Sequence, residues 1–246
     1  MSFSSKYDTN VLSIKQYGDH IVKVSMLSSC RVPGFEDDRN FSDKCTVNKC
    51  KLSNNLSRAK SKVIELALCN PWQFWCTFTL SPQKYDRYNL NIYKKDFMQF
   101  INNLNRKRDV KILYLLIPEM HEDTAWHMHG FINGLLDDDL VRNDNGYLTW
   151  KKYNDKFGYM SLSHIKNIEK TASYSLKYMT KDNTKNVMDL GAHLYYASHG
   201  LNTAKQLYKG HGTYNGVWDW THPEGYLSVK TLDLREVDLS ECIEVF

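Results

Sequence analysis

Two histidines separated by one residue are the clearest sign of chemistry in this chain. His127 and His129 lie within the apolar run from Ala125 to Ile132, which is typical of a β-strand. Because successive side chains of a strand point to opposite faces, residues two positions apart share a face. The pair therefore predicts two imidazoles on one face of a sheet, an arrangement that can bind one divalent ion.

A third ligand would come from the preceding strand. Lys111 to Glu119 predicts that strand, and a hairpin to a partner strand starting at Trp126 would bring the Glu119 carboxylate beside the histidines. Two imidazoles and a carboxylate leave positions open for a phosphate oxygen, which favours Mg²⁺ or Mn²⁺ over a closed structural zinc site. His121 in the turn is a rival ligand. Ordinary strand histidines beside a surface glutamate are the alternative interpretation.

A second group of reactive side chains follows further along the chain. Residues 169–182 predict a long helix, and one arc of about 100° on it holds Tyr174, Lys177, Tyr178 and Lys181. A phenol with its usual pKa of roughly 10 is a poor nucleophile, and a lysine one turn away favours the phenolate and binds phosphate. Two tyrosines four residues apart can attack neighbouring phosphodiesters in turn. The alternative is a helix with packed tyrosines and solvated lysines.

The elements around these groups predict an α+β fold. Ser57 to Asn70 predicts a helix that ends before Pro71, and Phe74 to Leu80 predicts a buried strand. Lys94 to Arg108 predicts an amphipathic helix, and residues 137–160 predict a loop with short pieces of structure. The order strand, helix, strand, strand, helix predicts a central antiparallel sheet with helices packed on one face.

Three regions are predicted along the 246 residues. Residues 1–52 predict an N-terminal β-containing extension, residues 53–190 a catalytic domain, and residues 191–246 a C-terminal extension packed on that domain. The absence of an apolar leader and of any run of eighteen apolar residues predicts a soluble protein with no membrane partner. Six cysteines without a CxxC pair predict reduced thiols in a cytosol, with a structural zinc on Cys30, Cys45 and Cys50 as the alternative.

Charge is distributed unevenly around the net value of +4. Residues 84–111 carry eight Lys or Arg against three acids, and residues 141–211 carry eleven against five. Residues 219–246 carry two against seven. The two basic segments predict a surface for a polyanion, with a solvated lysine-rich surface as the alternative.

Taken in order, the motifs resemble those of the HUH endonucleases, specifically the rolling-circle replication initiators of small plasmids and phages. The strand that contains Thr77 and Thr79 resembles the first motif of that family. Glu119 with His127 and His129 resembles the second motif, including its upstream acidic metal ligand. The resemblance covers roughly residues 55 to 190.

The third motif of the family is a tyrosine followed three residues later by a lysine. Tyr178 with Lys181 matches it best, which implies that Tyr178 is the nucleophile and Lys181 its helper. Tyr174 matches either a second nucleophile or the position of a water-activating glutamate in some plasmid initiators, and Lys177 would serve Tyr174. This resemblance leaves the role of Tyr174 open.

The resemblance implies an RRM-like α+β fold around a central antiparallel sheet. It also implies metal-dependent nicking and joining of single-stranded or cruciform origin DNA, through a tyrosine linked to the 5′ phosphate and a released 3′ hydroxyl that primes synthesis. The setting would be the cytoplasm of a bacterial host. Because the sequence contains no GxxxxGK loop followed by Ser or Thr, a separate or host helicase would unwind the duplex for a DNA polymerase.

Two other functions fit parts of the same pattern. A single-strand transposase uses the same chemistry and also places its histidines before its tyrosine. A non-catalytic RRM-like nucleic-acid-binding protein would have the sheet without the reaction. A covalent protein–DNA adduct distinguishes both enzymes from the binding protein.

Overall fold

The computed structural model describes residues 7–32, 49–189 and 191–246. The strands in these ranges are β1 (Tyr7–Tyr17), β2 (Ile21–Arg31), β3 (Phe74–Leu80), β4 (Leu113–Met120), β5 (Trp126–Asn133), β6 (Leu140–Arg142), β7 (Leu148–Trp150), β8 (Gly158–His164), β9 (Tyr196–Ala197), β10 (Lys205–Tyr214), β11 (Trp220–Thr221), β12 (Leu227–Asp233) and β13 (Ile243–Val245). The helices are α1 (Lys49–Leu68), α2 (Leu90–Asn105), α3 (Lys151–Lys156), α4 (Ile168–Ser175), α5 (Lys181–Asp189) and α6 (Leu239–Cys242), with 3-10 turns at Asp137–Asp139 and Leu176–Tyr178. Across these ranges, every helix is too short or too polar to span a bilayer.

The described residues divide into two compact units. The first combines residues 7–32 with residues 203–246 in an antiparallel sheet of order β11-β12-β2-β1-β10-β13. The predicted β-structure near the N-terminus is thus present as β1 and β2, and both ends of the chain contribute to one sheet. Its core contains Leu12, Val22 and Val24. Cys45 and the Cys50 side chain, needed for the alternative zinc site, lie outside the described residues.

The second unit contains residues 49–202 apart from residue 190, and its boundaries differ from the predicted 53–190. Its seven strands have the order β6-β7-β8-β3-β5-β4-β9, and all of their pairings are antiparallel. The predicted hairpin is present as β4 and β5, which pair from Leu113 opposite Asn133 to Met120 opposite Trp126. The fold is therefore α+β, as predicted. Strand β8, within and just after the predicted loop, adds a full partner to β3.

Helices cover both faces of this sheet, so the prediction of helices on one face is wrong. On one face, called the α2 face, Phe78 packs with Phe97 of α2 and Tyr153 of α3. The opposite face, called the α1 face, carries Leu115 and Phe131 and packs against α1 and the tyrosine segment. The cause is the composition of β4 and β5, whose side chains are apolar in both directions, so that neither face can be left in water.

The long helix predicted over residues 169–182 is also wrong, because the chain breaks it. Helix α4 ends at Ser175, a 3-10 turn continues to Tyr178, and α5 begins only at Lys181. Met179 leaves the helical conformation with φ −97° and ψ 63°. The Thr180 hydroxyl then accepts a hydrogen bond from the Asn183 backbone N–H at 3.1 Å, which caps α5. Tyr178 is consequently buried against the sheet instead of lying on an exposed helical face.

Candidate active site on the α1 face

Pairing of three strands places the histidines beside two threonines. His129 lies opposite Thr77 of β3, and His127 lies opposite Thr79. Thr77 Oγ1 is 3.2 Å from His129 Nδ1, and Thr79 Oγ1 is 3.4 Å from His127 Nδ1. The two imidazole rings are nearly parallel, with centroids 6.3 Å apart and an angle of 15° between planes. Because the threonines engage each Nδ1, each Nε2 is the nitrogen available to a ligand.

Glu119 comes closest to His129. Its Oε2 lies 2.8 Å from His129 Nε2, a buried atom that forms no hydrogen bond in the described structure. Burial lowers the pKa of His129 to about 3, and burial likewise raises the pKa of Glu119. The imidazole is therefore neutral, and this short contact is not an ion pair. With its proton on Nδ1 toward Thr77, His129 presents the Nε2 lone pair to a carboxylate oxygen.

Two electron-pair donors this close require a cation or a proton between them. Adjacent ligands of an octahedral ion with bonds of about 2.1 Å are separated by about 3 Å, close to the observed 2.8 Å. Glu119 and His129 therefore fit as neighbouring ligands of Mg²⁺ or Mn²⁺. Within the described residues, however, no three His, Cys, Asp or Glu side chains already converge on one metal position.

His127 and His121 flank this pair. Glu119 lies directly opposite His127 in the β4–β5 register, on the same sheet face as His129. The His121 ring stacks on the His127 ring at a centroid distance of 5.1 Å. Burial lowers the pKa of His127, which keeps its nitrogen available to a ligand. The structure thus brings Glu119 and His129 into contact and leaves His127 and His121 as candidates for the remaining position.

The tyrosine segment covers this site. The Tyr178 ring stacks on the His129 ring, with centroids 3.9 Å apart and 11° between planes. The Tyr174 and Tyr178 hydroxyl oxygens are 3.4 Å apart. Tyr178 is 9% exposed, whereas Tyr174 is 48% exposed. Trp75 contacts both rings, so an aromatic group holds the two phenols in place.

Lys177 interacts with both tyrosines. Its ammonium donates a hydrogen bond to the Tyr174 hydroxyl and lies 4.7 Å from the Tyr178 ring centroid. The Lys177 hydrogen bond lowers the pKa of Tyr174. Burial raises the pKa of Tyr178 to about 12, and its hydrogen bond with Tyr174 acts in the same direction. The more exposed phenol is therefore also the one that ionises more readily.

Lys181 does not reach either tyrosine. It is exposed in the first turn of α5, and within the described part of the chain it forms no hydrogen bond or ion pair. The expectation that Lys181 lies on one helical arc with Tyr174, Lys177 and Tyr178 is thus wrong. The break after Tyr178 explains this, because α5 starts on a new axis.

Asn183 belongs to the same site and was not anticipated from the sequence. Its Nδ2 donates to the carbonyl oxygens of Pro118 at 2.7 Å and Tyr178 at 2.9 Å. Its Oδ1 accepts from the Met120 N–H at 3.2 Å. A periodic helix through residue 182 gives no reason for these contacts, since they depend on the break before α5.

Comparison with known proteins bears on the segment that holds both groups of side chains. A family model for replication-associated proteins of the ORF2 type matches residues 73–183. No curated protein and no solved structure is significantly similar to the chain. The matched segment runs from the start of β3 into α5 and includes the histidines, Glu119 and both tyrosines. This match supports a replication initiator.

Proposed function

We propose that this chain initiates rolling-circle replication as an HUH-type endonuclease that nicks and rejoins single-stranded origin DNA in a bacterial cytoplasm. One observation carries the proposal: a pair of phenols with hydroxyl oxygens 3.4 Å apart covers a buried imidazole–carboxylate pair 2.8 Å apart. The first pair supplies nucleophiles and the second suits a divalent ion. Both lie in the segment that matches replication-associated proteins.

Glu119 and His129 would hold the ion, with His127 as the third protein ligand and His121 as its alternative. A bound Mg²⁺ or Mn²⁺ would supply positive charge to the scissile phosphate. Thr77 and Thr79 orient the two imidazoles through their Nδ1 atoms, 3.2 and 3.4 Å away. The threonines of the first motif thereby acquire a physical role in the site.

Tyr174 is the better placed phenol for the first attack, although the family resemblance favours Tyr178. Its hydroxyl is accessible, and Lys177 favours the phenolate. The phenolate oxygen forms a bond to phosphorus while the bond to the 3′ oxygen breaks, and that oxygen takes up a proton from solvent. Tyr178, 3.4 Å away, is then the acceptor for a second transfer.

An open cavity of about 670 Å³ on the α1 face offers a path for the DNA strand. Asn55, Arg58 and Lys62 of α1 form one wall, and His193 and Tyr195 form the other. No acidic side chain lines it, and Arg58 has no acidic partner within the described ranges. Helix α1 also packs on α4, which carries Tyr174. These features favour phosphate binding on the walls and base contacts with the tyrosine ring.

Replacing Arg58 and Lys62 together by glutamine is expected to weaken binding of a single-stranded oligo-dT and reduce the salt dependence of its affinity. Each lost phosphate contact lowers the slope of log K against log salt by about 0.7. Fluorescence anisotropy at several salt concentrations measures both quantities. The matched variant is Arg106→Gln with Lys107→Gln, at and just beyond the end of α2. Loss in this second variant alone would assign the strand to the basic segment 84–111 instead.

The proposed function is tested by searching for a covalent adduct. The wild-type protein is incubated with Mn²⁺ and denatured DNA of the replicon that encodes it, then analysed on denaturing gels and by peptide mapping. A tyrosine-linked 5′ phosphate supports the proposal. DNA binding without an adduct would favour an RRM-like binding protein, and excision of a discrete element would favour the transposase. A helicase and a DNA polymerase would be the protein partners of the initiator.

A further inference from the structure

The carboxamide of Asn183 replaces a missing strand at the outer edge of β4. Strand β9 pairs with β4 only at Leu115 and Leu116. Beyond that point, the Pro118 carbonyl and the Met120 N–H point to the same unpaired side, as groups two residues apart do in a strand. Asn183 donates to the first and accepts from the second, as a neighbouring peptide would. Both backbone groups on either side of Glu119 are thus satisfied by one side chain.

The same carboxamide also holds the tyrosine segment. Because the helix breaks at Met179, the Tyr178 carbonyl has lost the helical donor that an unbroken helix would provide. Asn183 Nδ2 donates to that carbonyl at 2.9 Å. Its own backbone N–H is bonded to Thr180 Oγ1, which fixes the residue at the start of α5. One side chain therefore joins the strand of Glu119 to the backbone of Tyr178.

We propose that Asn183 is a positioning residue that sets the distance between the phenols and the Glu119–His129 pair. This inference rests on the proposed function, since the distance matters only if a phosphate lies between the two groups. Asn183 contacts no reacting atom. It acts by restraining the backbone on either side of Glu119 and the carbonyl of Tyr178.

Replacing Asn183 by alanine is expected to reduce the single-turnover rate of adduct formation about 100-fold, because displacements near 1 Å cost that much in positioned reactions. The dissociation constant for the oligonucleotide should change less than about two-fold. Amide hydrogen exchange at Met120, measured without DNA, should accelerate as its acceptor is lost. Asn183→Asp keeps an acceptor for Met120 but removes both donors, so it should slow the reaction while leaving that amide protected.

Asn105 provides a matched control. Its carboxamide bridges the N–H and C=O of Ile112 at 2.8 and 3.0 Å, from the last residue of α2. Asn105→Ala should lower the unfolding midpoint without slowing adduct formation.

Each outcome of this experiment decides between the positioning role and its alternatives. A wild-type adduct rate in Asn183→Ala, with faster exchange at Met120, would make the clamp structural only and overturn the proposal. Equal slowing by Asn105→Ala would also overturn it. If Asn183→Ala does not fold, Asn183→Asp decides through the same rate. Absence of any wild-type adduct would refute the proposed function, whereas hydrogen exchange would still report on the clamp.

Discussion

Alanine at both His127 and His129 is expected to abolish nicking of single-stranded origin DNA. Charge stabilisation by a bound ion contributes several kcal/mol, so its loss should reduce the rate by about 10³-fold or more. The prediction follows from the neutral, buried imidazole of His129 with its Nε2 2.8 Å from the Glu119 carboxylate. An arrangement of this kind is unfavourable unless a cation or a proton lies between the two groups.

Direct measurement of metal binding separates this effect from misfolding. Titration calorimetry with Mn²⁺ should show a site in the wild-type protein and none in the double variant. His164→Ala is the matched control, because His164 is a histidine of the same sheet whose ring packs on Phe74. Unaltered nicking in the double variant would remove the metal hypothesis. Mn²⁺ binding that survives in it would move the site away from β5.

The hairpin that carries this site was predictable because a period of two is independent of tertiary context. Alternation placed His127 and His129 on one face, and the short turn returned Glu119 to them. Strand β8 obeys the same rule, with Met160 and Leu162 buried between exposed neighbours. That pattern lies in and just after a segment rich in polar residues and short elements, and a loop was predicted there.

The tyrosine segment was not predictable by the same reasoning. Residues 169–182 have helical propensity throughout, and a helix at 100° per residue places both tyrosines and both lysines on one face. The aromatic contacts of Tyr178 with His129 and Trp75 favour a different path for the chain. Thr180 then starts a new helix. Tertiary packing therefore decided the identity of the lysine beside the phenols, which is Lys177.

Tyr174→Phe is expected to eliminate the first covalent adduct, and Tyr178→Phe to leave it intact. Only Tyr174 combines an exposed hydroxyl with a hydrogen bond from an ammonium group. Tyr178 is buried against His129, and its raised pKa keeps its phenol protonated when Tyr174 has begun to ionise. Peptide mapping after one turnover with a single-stranded substrate identifies the linked tyrosine.

The second transfer tests the role left to Tyr178. Tyr178→Phe should form the first adduct at the wild-type rate but fail to pass the strand to a second phosphodiester supplied in excess. Lys177→Met is the supporting variant. Loss of the ammonium raises the pKa of Tyr174, so the pH at which the first adduct forms at half its maximal rate should move upward. An adduct mapped to Tyr178 in the wild-type protein, together with full activity in Tyr174→Phe, would reverse the order. The resemblance to the family's third motif would then describe this site better than exposure and ionisation do.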